Sequence, residues 1–247
     1  FFLALDIIKT RMETFMNENA ADTSKSKYFL YIAIAFVALL MISNTAAVKL
    51  IGIGPFVFTG AIFIFPLTYI FGDILTEVYG YRATRKIIWS AFAALILMSL
   101  AYLFVQNLPA ASFWTGQEAY ATILGFVPRI VAGSIIAFFV GEFCNSFVLS
   151  RMKVWMNGKS LWMRTIGSTI VGEGVDTIVF VSIAFYGTIP LAVLFTAMWS
   201  GYLFKVAYEV IATPITYLIV DWLKRAEGID AYDRGISYNP FHLSEKI

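Results

Sequence analysis

The chain has 247 residues, of which 60% are hydrophobic and only 14% charged, with a net charge of +2 and a mean hydropathy of +0.77. A soluble domain of this length cannot bury so much apolar surface, whereas a bilayer accommodates it. The small net charge gives no indication of nucleic acid as a partner, and the single Cys144 excludes an intramolecular disulfide framework. The composition therefore predicts an all-α integral membrane protein.

Hydropathy along the chain predicts six membrane-spanning helices. Residues 1–27 have apolar positions at helical spacing, which indicates an amphipathic segment at the membrane interface. Since a span needs about 20 apolar residues, we predict spans at 28–50, 59–79, 87–106, 126–149, 165–186 and 201–223. The apolar segment 190–200 is too short to span and is either an interfacial helix or an extension of the sixth span. Residues 28–224 form the membrane domain, and 225–247 form a cytoplasmic tail.

The basic residues are distributed unevenly between the loops. With the N-terminus inside, the inner segments hold 15 of the 18 lysine and arginine residues, and the outer loops hold only Lys49. Cytoplasmic loops are enriched in lysine and arginine. The sequence therefore predicts an even number of spans in the inner membrane, with both termini cytoplasmic.

Ionisable side chains occur inside the predicted spans. On insertion scales each costs about 2.5–3.5 kcal/mol at the bilayer centre, so we expect them to face the bundle interior, where they pair or line a wet cavity. They are Asp73, Glu77, Arg129, Glu142, Glu173, Asp176, Lys205 and Glu209.

Glu173 and Asp176 are the acids that are hardest to explain as structural contacts. They lie near mid-membrane, and their spacing of three residues places them on one helix face. Two ionised carboxylates would repel there, which indicates that one is protonated or that a cation or donor-rich ligand lies between them. We predict a binding role for both.

The other buried polar residues have structural alternatives. Asp73 and Glu77 lie near the inner end of the second span and could pair with Arg82 and Arg85. Lys205 and Glu209 are four residues apart and could pair along their own helix. Arg129 could extend to the outer interface. Asn44 could be an ordinary helix-to-helix contact.

Three acids follow a glycine directly, at Gly72-Asp73, Gly141-Glu142 and Gly172-Glu173. Glycine allows the backbones of neighbouring membrane helices to approach closely. Asn145 follows Glu142 by three residues and shares its helix face. The pattern permits close helix contacts beside these acids and is also compatible with an ancient internal duplication.

No enzyme motif is present. The sequence lacks a phosphate-binding glycine loop and a zinc-binding histidine pair, and its one histidine, His242, is in the tail. We expect no catalytic residue, no cofactor and no metal. An intramembrane enzyme that uses paired carboxylates is the least favoured alternative.

The run FPLTYIFGDILTEVYGY at 65–81, followed by Arg82, Arg85 and Lys86, resembles the queuosine precursor transporter family, which is also described as vitamin uptake transporters. Arg129, the run GEGVDT at 172–177, and the segment from Phe204 through Glu209 to Pro214 resemble it as well. The resemblance covers most of 28–224. It implies six helices arranged as in the substrate-binding subunits of energy-coupling-factor vitamin importers.

The resemblance also implies a substrate. The family imports 7-cyano-7-deazaguanine or 7-aminomethyl-7-deazaguanine, precursors of a modified tRNA nucleoside. A carboxylate can accept hydrogen bonds from the N1–H and the exocyclic amine of such a base. The predicted binding residues are Asp176, Glu173, Glu142, Asn145, Arg129, Lys205 and Asn44.

A second group of residues would move the substrate rather than hold it. We predict that Asp73, Glu77 and Glu209 form an inner gate or a proton or ion relay. A homodimer stays open, as does coupling to protons or ions. The alternative function is a substrate-binding subunit that depends on a separate ATPase module.

Overall fold

The computed structural model describes residues 26–242, and almost all regular structure in this range is helical. The predicted amphipathic segment lies outside the described residues except for 26–27. A short antiparallel hairpin, β1 (Leu50–Ile53) and β2 (Phe56–Thr59), and a 3₁₀ turn (Gly60–Phe63) interrupt the helices. The helices are α1 (Phe29–Ala46), α2 (Phe65–Tyr79), α3 (Tyr81–Gln106), α4 (Gln117–Leu124), α5 (Val127–Trp155), α6 (Leu161–Phe185) and α7 (Leu191–Glu227).

Five helical segments are long and apolar enough to cross a membrane: α1, α3, α4 with α5, α6 and α7. Their outer faces carry exposed apolar side chains such as Leu97, Ile211 and Leu218, each at least 70% exposed, while many polar side chains are buried. This pattern reverses that of a soluble protein and suits a lipid environment. The chain is an all-α, multi-pass membrane protein, as the composition predicted.

The second predicted span, 59–79, begins too early. The hairpin and the 3₁₀ turn occupy residues 50–63, so α2 has only 15 residues and a length of about 22 Å, below the roughly 30 Å of a hydrocarbon core. Pro66 lies in its first turn, where proline starts a helix rather than bending one. Because 13 of its 15 residues are buried, α2 is a central helix that the others surround.

The segment 190–200 is an extension of the sixth span. It joins that span in one continuous helix, α7, of 37 residues and about 55 Å, with Pro214 inside it. Near its start, the Ser200 hydroxyl donates to the Val57 carbonyl of the hairpin at 3.4 Å. Near its end, Glu227 accepts a hydrogen bond from the Tyr28 backbone N–H at 2.7 Å, before α1 begins. α7 therefore connects the two ends of the bundle.

Six helices, namely α1, α2, α3, α5, α6 and α7, run alternately between these two ends. One end, which we call the basic end, contains Arg85, Lys153, Arg164 and Lys224. Lys49 lies beside the hairpin at the opposite end, where its carbonyl accepts from the Gly60 N–H at 2.6 Å. Five of the six (α5 together with α4) are long and apolar enough to span a membrane and α2 is shorter, so the even number of spans stays a prediction. The assignment of the basic end to the cytoplasm stays a prediction.

Residues 228–242 fold back over the basic end. Asp233 accepts hydrogen bonds from the Tyr81 N–H at 2.9 Å and the Ser150 hydroxyl at 2.7 Å. Asp230 pairs with Lys153 at 2.6 Å and with Lys224 at 3.0 Å. Partial burial opposes the ionised form of Asp230, but hydrogen bonds from the two lysines outweigh it and lower its pKa. The predicted tail is thus packed against the membrane domain.

Candidate functional site

The two mid-membrane acids form a charged triad with Lys205. Glu173 and Asp176 lie 12 and 15 residues from the start of α6, and both are buried. The Lys205 Nζ on α7 is 2.8 Å from Glu173 Oε2 and 2.8 Å from Asp176 Oδ2, and it donates to the Thr177 hydroxyl at 3.3 Å. Lys205 therefore pairs across to α6 and not along its own helix with Glu209. A cation lies between the two acids, which was one of the predicted ways to relieve their repulsion.

An apolar cavity opens beside this triad, toward the end of the bundle that carries the hairpin. Asp176, Thr177 and Lys205 supply its charged and polar side, together with Asn44 and Ser134. Phenylalanine side chains from β2, α2 and α6 line much of the remainder: Phe58, Phe65, Phe180 and Phe185. The Asn44 amide nitrogen donates to the Leu40 carbonyl at 2.9 Å, while its oxygen has no partner among the described residues. The cavity thus combines flat apolar walls with a carboxylate and an unused acceptor.

Deeper in the bundle lies a second set of acids, Asp73, Glu142 and Glu209, which we call the acid cluster. All three are buried and come from α2, α5 and α7. Asp73 Oδ1 accepts from Asn145 Nδ2 at 2.8 Å, and Glu142 Oε1 accepts from the Ser146 hydroxyl at 3.3 Å. Glu142 and Asn145, predicted as base contacts, therefore lie with Asp73 and not on the cavity wall.

Glu77 is the centre of an ion-pair network at the basic end. Arg164 donates to both of its carboxylate oxygens, Lys224 Nζ is 2.7 Å away, and Lys153 Nζ is 3.4 Å away. These cations come from α5, α6 and α7 and not from Arg82 and Arg85, the partners that are close in sequence. Arg85 instead donates to the Ser237 and Asn239 carbonyls of the tail, at 2.9 and 2.7 Å.

Arg129 lies away from the cavity and caps a helix. Its Nε donates to the Ile183 carbonyl at 3.1 Å and its Nη2 to the Tyr186 carbonyl at 2.6 Å, both at the C-terminal end of α6. Carbonyls at a helix C-terminus lack intrahelical donors and carry partial negative charge, so a guanidinium is favourable there. The structure brings Asp176, Lys205 and Asn44 together at the cavity, with Glu173 behind them, and separates Arg129 from them.

Tyr69, Phe65 and Ser134 were not selected from the sequence. The Tyr69 hydroxyl is buried beside Gly141 with no hydrogen-bond partner among the described residues. Phe65 packs under Lys205, with Nζ 4.3 Å from the ring centre. Aromatic and serine residues are common in membrane helices, so their residue types gave no signal of a site. The only available signal was that helical spacing places them on the same helix face as a buried polar residue. Among the residues that the structure describes, no group of histidine, cysteine or acidic side chains is arranged to hold a metal ion.

Glycines bring α5 and α6 into close contact beside the acids. A Cβ at Gly141 would lie 2.7 Å from the Asp176 Cβ and 2.9 Å from the Gly172 carbonyl oxygen. A Cβ at Gly172 would lie 2.8 Å from the Asn145 Cβ and 2.9 Å from the Gly141 oxygen. The two glycines thus face each other across the helix crossing, a close approach that glycine permits.

Replacing Gly172 with alanine is expected to destabilise the protein. The added methyl group meets the Asn145 Cβ and the Gly141 carbonyl oxygen, neither of which can rotate away, and overpacking of this kind costs about 1–3 kcal/mol. We expect a lower melting temperature of the purified protein in detergent. It is measured as the loss of the folded peak in size-exclusion chromatography after heating. Gly174→Ala on the same helix is the matched control, because its nearest neighbour would be Tyr202 Cε2 at 3.5 Å, an ordinary contact. Equal melting temperatures for the two variants would contradict the close crossing.

Comparison with known proteins gives the same family as the sequence motifs at 65–81 and 172–177. Residues 59–219 match the family described as "Putative vitamin uptake transporter". The chain is 34% identical over 146 residues to a "Probable queuosine precursor transporter" of Bacillus subtilis (strain 168), covering 59% of this chain and 64% of that protein. It is 25% identical over 166 residues to a "Queuosine precursor transporter" of Escherichia coli (strain K12), covering 67% and 72%.

The match spans just under two thirds of the Bacillus subtilis relative. No solved structure matches, so the similarity to energy-coupling-factor subunits stays a prediction. The matched family is one of transporters and not of enzymes, in agreement with the sequence, and its match covers more than half of the chain, including α2 and the charged triad. The chain belongs to the family described as "Putative vitamin uptake transporter".

Proposed function

We propose that this protein imports queuosine precursors, the bases 7-cyano-7-deazaguanine and 7-aminomethyl-7-deazaguanine, across the inner membrane. The names of its relatives support the substrate class. The observation that carries the proposal is the position of Asp176, a buried carboxylate fixed by Lys205 at the edge of a cavity lined by phenylalanines.

The chemistry of the cavity suits one edge of a deazaguanine. Asp176 accepts from the N1–H and the exocyclic amine, and the Asn44 oxygen accepts from the N–H of the five-membered ring. The Ser134 hydroxyl is available to donate to the ring carbonyl. The flat base lies against Phe65 and Phe180, where stacking on aromatic rings is favourable. Hydrogen bonds to a charged acceptor contribute about 1.5–3 kcal/mol each in such a site.

Import requires that the cavity first be open to the outside. The cavity lies toward the end that carries the hairpin and Lys49, opposite the basic end, and we assign the basic end to the cytoplasm because inner loops are rich in lysine and arginine. The ion pairs of Glu77 then close the inner side. With the basic end in the cytoplasm, Glu77 is part of an inner gate.

Direct binding tests the proposal. We expect the protein, purified in lipid nanodiscs, to bind both 7-deazaguanines more tightly than guanine and not to bind vitamins such as riboflavin or biotin. No binding of either 7-deazaguanine would overturn the assignment. Uptake by the same chain alone in liposomes without ATP would exclude dependence on an ATPase module.

A further inference from the structure

The buried acids of the bundle fall into two classes by their neighbours. Glu173 and Asp176 pair with Lys205, and Glu77 pairs with Arg164, Lys224 and Lys153. The three members of the acid cluster form no ion pair within 4 Å with any residue that the structure describes. Each also has an oxygen without a hydrogen-bond partner in the described part of the chain: Asp73 Oδ2, Glu142 Oε2 and Glu209 Oε1.

The surroundings of the cluster do not compensate three negative charges. The Glu142 carboxyl packs against Gly72, the neighbour of Asp73 on α2. The charged side chains that act on it are all acids, namely Asp73, Glu173 and Asp176. The charged side chains that act on Asp73 are Glu209 on α7, Glu77 on its own helix and Arg164 on α6, and Arg164 is itself bound to Glu77. A buried carboxylate without a counter-charge costs several kcal/mol, and adjacent carboxylates repel further. The cluster is therefore stable only if it binds positive charge.

Asn145 indicates that this charge is a proton. It is fully buried, and its amide nitrogen donates to Asp73 while its amide oxygen has no partner among the described residues. An ionised Asp73 accepts hydrogen bonds only and leaves that oxygen unpaired, whereas a protonated carboxyl group supplies the missing donor. A metal ion is disfavoured, because in residues 26–242 no three acidic, histidine or cysteine side chains are arranged to hold one.

We propose that Asp73, Glu142 and Glu209 form a proton-binding site, separate from the base cavity, that couples import to proton entry. The inference rests on the proposed import function for its coupling part. Under this proposal Glu77 is not part of the predicted relay, because three cations neutralise its charge. Glu142 belongs to the relay and does not contact the base. The cluster lies between the charged triad and the Glu77 network, where a change in its charge acts on both.

Infrared spectroscopy tests the proton site without any substrate. In the purified protein at neutral pH we expect a carboxylic acid C=O band that weakens in Glu142→Gln and in Asp73→Asn. Asp221→Asn is the control, since Asp221 is an exposed acid on α7 and is expected to leave the band unchanged. The absence of a carboxylic acid band in the unmodified protein would overturn the proton site, whether or not a base binds.

Transport tests the coupling. Because 7-cyano-7-deazaguanine is uncharged, proton co-transport predicts that its uptake into liposomes rises with an inward proton gradient and with an interior-negative potential. We expect Glu142→Gln to lose both stimulations and to retain base binding, while Asp221→Asn keeps them. Uptake that ignores both gradients would overturn the coupling, as would stimulation by a sodium gradient alone. Failure of the unmodified protein to bind the base would instead count against the proposed import function.

Discussion

Replacing Asp176 with asparagine is expected to abolish uptake of 7-cyano-7-deazaguanine while the protein stays folded. Asparagine keeps the size of the side chain, but it replaces one of two acceptor oxygens with a donor that faces the N–H groups of the base. Loss of one hydrogen bond to a charged acceptor, at about 1.5–3 kcal/mol, corresponds to a loss in affinity of about 10- to 100-fold, and the donor that now opposes an N–H group of the base lowers the affinity further.

We expect the Asp176→Asn variant to remain folded. Lys205 keeps its ion pair with Glu173 at 2.8 Å, so no buried charge is left alone. Uptake is measured in cells at matched membrane abundance, and affinity is measured in nanodiscs. Asp221→Asn provides the control, because it removes an exposed carboxylate outside the cavity. Normal uptake by the Asp176 variant at normal abundance would remove Asp176 from the binding site.

The spans and the buried acids could be predicted from the sequence because each has a strong physical cause. A long apolar run has no soluble alternative, and an acid inside a span is costly unless it is paired or functional. The start of α2 could not be located in the same way. Residues 50–63 are apolar except for Thr59, and hydropathy does not distinguish an apolar strand or turn from a helix. The residues Gly52, Gly54 and Pro55 were the available turn signal.

The partners of each charge were less predictable than the charges themselves. Arg82 and Arg85 are close to Glu77 in sequence, but Gly80 between them has a φ of +85°, which ends α2 and begins α3. The two arginines therefore belong to a different helix. The cations that pair with Glu77 are at positions 153, 164 and 224, and only the packing of α5, α6 and α7 around α2 brings them to it. Pairings between distant helices depend on packing that one sequence does not specify.

Replacing Glu77 with glutamine is expected to destabilise the folded protein more than any other single change considered. Glutamine fits the same space but removes the negative charge that neutralises Arg164, Lys224 and Lys153. Removing one partner of a buried ion pair costs about 3–5 kcal/mol, because the remaining charge is desolvated and uncompensated. Lys153 and Lys224 would then keep only Asp230, whose side chain is 43% exposed, and Arg164 would have no ion-pair partner among the described residues. We expect low membrane abundance and a lowered melting temperature in detergent.

Two further variants separate electrostatic stabilisation from gating. Asp230→Asn removes a partly exposed partner of the same lysines, and solvent screening makes a much smaller loss of stability the expected result. Adding Arg164→Met to Glu77→Gln removes one uncompensated cation and is expected to restore part of the melting temperature. If Glu77→Gln instead kept the original melting temperature and changed only the rate of uptake, Glu77 would be a gate that contributes little to the fold. A loss of stability that Arg164→Met partly restores would show that the closed inner side of the bundle depends on this ion-pair network.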